Sequence, residues 1–366
     1  MDDLTFTGSS AAILDWFNKV LEARFKINPH DRGEISYMLG TRVRQDLQKG
    51  TITMDQTAAI EALAKRFKID STMPNARNCT PIAVEALPKQ AKKDVEFEYL
   101  SAVGSLLHIS GMTRPDIAYA VGSVARHGAT YGAVHVKAVK RIIAYLYHTR
   151  YYGITYRHKK SLSHHDPLRQ VQNLVMYQAG RPPIMNPEGE ARMREDPLRI
   201  FCDADFGGDT TMRSTTGIVT FLNCGPISWS SKLQKFQALS TTESEVYAAT
   251  EAIKDAALLK VYLEDLELRD DVPIPIHEDN SACIKMGMQH LKRFNRARHY
   301  VQRVNFLQER VWDRTAKLVS TPTEEEVADV LTKPLSFPLF SKFRDVLVSN
   351  VYPEHQPGTH TEEEER

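Results

Sequence analysis

The sequence predicts an α/β chain, with an α+β N-terminal half and a C-terminal domain built on a mixed five-stranded sheet with helices on its faces. Three observations carry this. Strand-like and helix-periodic runs alternate along most of the chain. From 199 to 332 the order is strand, strand, strand, helix, strand, helices, strand, helix, opening on an antiparallel hairpin. Between the halves, 161–197 (with HHDP, GRPP, NPEGE and REDP) lose all periodicity and read as a linker or insertion. The boundaries follow as 1–160, 161–197, 198–347 and a polar, disordered tail at 348–366.

In the first half, LTFTG reads as a strand ending at a glycine turn. Residues 8–24 follow as a helix with Ile13, Leu14, Phe17, Leu21 and Phe25 near one face. The runs EISYMLGTRVRQD and TITMD are strands around Gly50, and a second helix covers about 55–67. From 96 a buried stripe of Tyr99, Val103, Leu106 and Leu107 predicts another helix. Pro115 opens the next, and a third covers 131–148.

In the second half, LRIFCDADFGGD is a strand running into carboxylates, and 215–229 form a hairpin. The run LSTTESEVYAATEAIKDAALLKVYLEDL is a long amphipathic helix, with Thr242 suited to its N-cap and Glu245 to N3 of a capping box. PIPIHEDN is a strand delivering Asp279 at its end, followed by helices at 280–288 and 297–311. AKLVS is the last strand, and a helix at 324–332 carries Asp329.

In such a layout Asp203, Glu245, Asp279 and Asp329 can converge from strand ends and helix starts. Four acids with no chelating histidine or cysteine favour Mg²⁺ over zinc, and like charges so close need a cation. Two Mg²⁺ ions, with Mn²⁺ as a substitute, suit in-line phosphodiester hydrolysis. The alternative for each acid is a solvated strand end or a cap: Glu245 could be a capping residue alone, and Asp205 and Asp209 compete with Asp203.

Composition narrows the classes. The chain has 47 basic and 46 acidic side chains, so no global field attracts nucleic acid. The balance hides two basic stretches. Residues 133–160 hold seven Lys or Arg and no acid, with Lys137, Lys140 and Arg141 on one helix. Residues 289–317 hold eight against two acids, including Arg293, Arg296 and Arg298. Each stretch is a phosphate-backbone track or a solvated helix face. Four cysteines without CxxC spacing point to a reducing compartment. There is neither a run of about 18 apolar residues nor a basic-then-apolar N-terminus. The expectation is an intracellular protein, cytoplasmic or nuclear, neither secreted nor membrane-bound.

The strings CDADFGGD (202–209), RSTTG (213–217), PISWSSKLQ (226–234), ALSTTESEVYAA (238–249), EDNSACI (278–284) and ADVLTKPL (328–335) closely resemble the ribonuclease H domain of Ty1/copia-type retrotransposon Pol polyproteins. The resemblance implies that Asp203, Glu245, Asp279 and Asp329 form the family's metal-binding quartet. It implies cleavage of the RNA strand of RNA–DNA hybrids, leaving a 5′-phosphate and a 3′-hydroxyl. Asn280 and Ser281 become contacts to that strand, with Gln234 and Thr216 weaker candidates. The family's usual DADW stands here as DADF, with Phe206 keeping an aromatic ring. His299 is read as a packed or surface histidine ahead of a phosphate contact.

The first half resembles the end of the same family's reverse transcriptase. MDDLTFTG looks like the tail of the YxDD motif, with Asp2 and Asp3 its paired acids. YMLGTRV, the CTP at 79–81, the run at 99–126 and HVKAVKRIIAYLYHT are also similar to it. The third polymerase carboxylate of that family lies upstream of YxDD, so the resemblance implies a palm remnant with thumb and connection, and no DNA polymerase activity. The expected partners are an RNA–DNA hybrid or other duplex and the remaining parts of a Pol polyprotein; no oligomeric state is implied. Two alternatives stay open: an inert transposon relic, and a nucleic-acid-binding module kept for its basic helices.

Overall fold

The computed structural model describes residues 10–25, 33–70, 80–85, 87–88, 95–157, 198–222, 224–266, 272–289 and 300–352. It is a mixed α/β structure with two five-stranded sheets. The Asp2–Asp3 pair, Arg293, Arg296, Arg298 and His299 lie outside the described residues.

The first sheet is antiparallel throughout. Strands β1 (Tyr37–Met38), β2 (Thr41–Asp46) and β3 (Thr51–Asp55) form a meander, and β4 (Tyr152–Arg157) pairs with β3. Helix α1 (Ala11–Glu22) precedes them, its first turn capped by Ser10. The apolar face expected there is not taken into the core: Ile13 and Phe25 are 49% and 62% exposed. Helices α2 (Thr57–Arg66), α3 (Tyr99–Met112), α4 (Ala118–Ala125) and α5 (Ala133–His148) lie between β3 and β4. The stripe on α3 holds for Tyr99, Val103 and Leu106, whereas Leu107 is half exposed.

The second sheet contains β5 (Arg199–Asp205), β6 (Thr215–Leu222), β7 (Gly225–Leu233), β8 (Ile274–Glu278) and β9 (Ala316–Ser320). Their spatial order is β7-β6-β5-β8-β9. The first three pair antiparallel, while β5–β8 and β8–β9 are parallel. β5 is therefore central, and its residues 199–204 are all buried. Ile200 and Cys202 pack into one core with helices α6 (Thr241–Asp265), α7 (Ser281–Met288) and α8 (Val301–Trp312), through Val246, Ile253 and Leu307. Phe201 joins the other core, which contains Leu106, Ile117 and Ile142 of the first half and Leu331, Phe340 and Phe343 of the second. Each such fully buried ring contributes about 1.5–3 kcal/mol.

That shared core ties the halves together, and polar contacts reinforce it. Trp229 Nε1 donates to the Ser110 carbonyl at 2.8 Å, Tyr156 Oη donates to the Pro226 carbonyl at 2.9 Å, and Arg126 pairs with Asp209 at 3.4 Å. A Cβ on Gly225 would stand 2.5 Å from the Tyr156 ring, so glycine there allows β7 to lie against β4.

Two sequence expectations are corrected. The helix expected at 324–332 is a pair of 3-10 turns, Thr323–Glu325 and Val327–Leu331. The extended Glu326 between them (ψ 92°) interrupts the helix, and its carboxylate accepts from the Ala328 amide to start the second turn. The tail expected from 348 also begins too early. After helix α9 (Phe337–Leu347), strand β10 (Ser349–Asn350) pairs with β4 at the edge of the first sheet. Tyr352 Oη then accepts from Arg42 at 2.7 Å, while the Arg44 guanidinium lies 4.0 Å over its ring. No described helix is long and apolar enough to cross a membrane.

Candidate metal centre

Three carboxylates from three elements meet at the ends of β5 and β8. Asp203 lies on β5, Glu245 on α6 and Asp279 just past β8, with a ligand oxygen of each within 4.8 Å of the others. Local chemistry places each one. The N-cap of α6 is Ser240, whose hydroxyl accepts from the Glu243 amide at 3.1 Å, while Glu243 reaches back to the Leu239 amide at 2.6 Å. The capping box expected at Thr242 and Glu245 thus sits two residues earlier, and Glu245 is released from capping to face the cluster. Asp279 accepts from Thr323 at 2.7 Å. Asp203 accepts from Thr332 and is 3.9 Å from Lys333 Nζ.

Asp329 stands beside Asp203, in the turn Val327–Leu331, with Lys333 Nζ 2.7 Å from its Oδ1. This turn approaches β6 so closely that a Cβ on Gly217 would stand 2.6 Å from Thr332 Cγ2 and 2.8 Å from the Ala328 carbonyl. Glycine at 217 is what lets the Asp329 turn close over the sheet.

The electrostatics are those of a site short of positive charge. Burial, then Glu278, Asp203 and Asp279, push the Glu245 carboxyl well above its ordinary range. Burial and Asp203 raise Asp329 to about 7, Lys333 only partly offsetting them. Two further buried acids stand close by and were not singled out from the sequence. Burial raises both Glu278 and Glu326 strongly, with Asp203 and Asp279 adding to it. Glu245 Oε2 and Glu326 Oε2 have no hydrogen-bond partner among the described residues. Converging carboxylates with an orphaned buried oxygen fit a hard divalent cation held by oxygen ligands.

Of the two competitors for Asp203, Asp209 pairs with Arg126 and holds the Thr211 amide at 2.8 Å, whereas Asp205 stays within the field of Asp203 and Lys333, its carboxyl raised chiefly by burial. Asn280 caps α7, accepting from the Ala282 and Cys283 amides at 3.0 Å, while Ser281 is exposed beside it. Gln234 and Thr216 are buried, and Gln234 Nε2 donates to Thr216 Oγ1 at 3.0 Å. On α5, Lys137 is exposed and Lys140 lies 5.8 Å over the Phe97 ring. Arg141 is committed to the Thr80 carbonyl at 2.8 Å. Thr332 and Lys333 follow Asp329 at helical spacing, which is the signal by which they could have been found.

Over 346 residues, 91% of the chain, the sequence is 30% identical to the retrovirus-related Pol polyprotein from transposon TNT 1-94 of Nicotiana tabacum. Over 344 residues, 94% of the chain, it is 27% identical to that from transposon RE1 of Arabidopsis thaliana. The chain belongs to the retrovirus-related Pol polyproteins of Ty1/copia-type transposons. This Pol chain spans 23% and 21% of those two relatives' lengths. It is also 33% identical over 164 residues, 44% of its length, to secreted RxLR effector protein 161 of Plasmopara viticola, of which it covers 92%. No family model and no solved structure matches the Pol chain.

Proposed function

We propose that residues 198–347 of this Pol chain are a ribonuclease H-type endonuclease that cuts the RNA strand of RNA–DNA hybrids with two Mg²⁺ ions. The observation that carries the reading is the convergence of Asp203, Glu245 and Asp279 from three separate elements. The sheet supports it: strands in the order third, second, first, fourth, fifth, the last two parallel to the first, suit a ribonuclease H-like fold. The RNA–DNA hybrid as substrate is what the resemblance of strings such as CDADFGGD and ALSTTESEVYAA to that family's ribonuclease H domain suggests. Bound Mg²⁺ would lower the pKa of an attacking water and stabilise the leaving oxygen.

The chain's own residues do the rest. Asp203 and Asp279 hold the shared centre, Glu245 supplies an oxygen that has no other partner among the described residues, and Asp329 completes the second position. Thr332 and Thr323 fix the rotamers of Asp203 and Asp279. Ser281 faces solvent next to the site and suits contact with the RNA strand. Residues 1–160 are proposed as the end of a reverse transcriptase palm with thumb and connection, Asp2 and Asp3 being the paired acids. Its basic α5, above all Lys137, would track the duplex, together with Arg293, Arg296 and Arg298.

The test is incubation of the full chain with end-labelled RNA–DNA hybrid, RNA duplex and DNA duplex, with Mg²⁺ and with chelator. Cleavage confined to the RNA of the hybrid and abolished by chelator is expected. A folded chain that binds hybrid but leaves it intact in Mg²⁺ and Mn²⁺ would make it a binding module instead.

A pH dependence follows from the carboxyls raised at the site. A group near 7 in the folded chain and 3.8 unfolded holds its proton more tightly when folded. Its favourable contribution is complete below about pH 4 and is lost as pH rises towards about 7. Glu245 shifts in the same direction. Without metal, these groups should therefore lower the melting temperature as pH rises from about 4 to about 7. Mg²⁺ should restore it at the alkaline end and do little at the acid end. A Mg²⁺ shift independent of pH would contradict this origin.

A further inference from the structure

The carboxylates do not share the site evenly. Asp203, Glu245 and Asp279 converge with the Glu245 Oε2 oxygen lacking a hydrogen-bond partner among the described residues. Beside Asp203 a cation of the chain's own is in place: Lys333 Nζ, 2.7 Å from Asp329 and 3.9 Å from Asp203. The turn that carries Asp329 presents it. The Thr332 and Lys333 amides both bond the Asp329 carbonyl, at 3.2 Å each, which sets the Thr332 hydroxyl on Asp203 and the Lys333 ammonium on Asp329 together. Both carboxylates are almost wholly buried, whereas the Lys333 side chain is 33% exposed. The ammonium is thus a point charge on a flexible stem with a way out to solvent.

We propose that Lys333 occupies the second cation position of the resting chain. A single divalent ion would then bind, on Asp203, Glu245 and Asp279, and a second is admitted only when the ammonium leaves Asp329. The inference rests on the metal reading above and deepens it. An ammonium and a divalent ion side by side on the Asp203 and Asp329 oxygens repel at a range where Coulomb energies are large and poorly screened. The group able to draw Lys333 away is a phosphodiester oxygen of the substrate, so filling of the second position becomes coupled to the arrival of nucleic acid. Lys333 is a positioning residue in this scheme and touches no reacting atom.

Calorimetric titration of the full chain with Mn²⁺ alone tests it without reference to activity. The parent is expected to take one ion. Lys333→Met is expected to take two, or to bind the second about tenfold more tightly or better, and Lys333→Arg to behave as the parent. Should Lys333→Met prove too unstable to titrate, its melting temperature should climb more steeply with Mn²⁺ than the parent's. Equal stoichiometry and affinity in parent and Lys333→Met, or equal melting responses, would overturn the proposal while leaving the metal centre standing. Loss of all Mn²⁺ binding in the parent, with Glu245→Gln no different, would overturn the metal reading itself.

Discussion

Asp203→Asn should reduce hybrid cleavage by ~1,000-fold or more, equivalent to about 4 kcal/mol of transition-state stabilisation. Asp203 belongs to both groups of the site: it shares the three-carboxylate cluster with Glu245 and Asp279, and shares Lys333 with Asp329. Asparagine keeps its shape and can still accept from Thr332, so the fold should persist. It removes one negative charge from a cluster whose members raise each other's pKa values. The metal-free variant should therefore melt no lower than the parent, and its melting temperature should no longer respond to Mg²⁺. Gel assays of labelled hybrid and paired melting curves check both halves of this result. Full cleavage by Asp203→Asn would remove the quartet from the chemistry altogether.

The largest effect on stability is expected at Arg114→Met, about 3–5 kcal/mol of destabilisation. Arg114 is fully buried and pairs with Asp116 through two bonds, at 2.9 and 2.7 Å, while also donating to the Thr149 carbonyl and hydroxyl. Burial alone would raise the Asp116 carboxyl, but the facing guanidinium and the Tyr145 hydroxyl hold it below its ordinary range. Methionine leaves that carboxylate buried and uncompensated. The network abuts the second half, since Tyr145 meets the Phe340 ring edge-on at 5.7 Å. The shared core predicts that both halves lose structure in one transition. Urea unfolding followed by far-UV dichroism and Trp fluorescence should show the two signals moving together to a lower midpoint. Adding Asp116→Asn to the variant should recover part of the loss, because the orphaned charge goes with it.

Much of this molecule was legible in one dimension. The five strands of the second sheet, the strand ends carrying Asp203 and Asp279, and helices α2 to α5 follow from local periodicity and turn chemistry, which short segments encode on their own. The family followed from strings such as CDADFGGD and ADVLTKPL and is shown by the Pol relatives. Two local choices misled. A serine–glutamate pair two residues upstream outcompeted Thr242 for the α6 cap, and Glu326 split the expected last helix.

The sequence by itself determined which residues form strands and helices, and which acids stand at their ends, because neighbours in the chain decide both. Tertiary structure alone decided who meets whom. Strand β10 pairs with β4 across about 200 residues, Gly217 makes room for the Asp329 turn, and Lys333 settles between two buried carboxylates. Such contacts depend on long loop closures and on the shape of a packed interior, which no local pattern records.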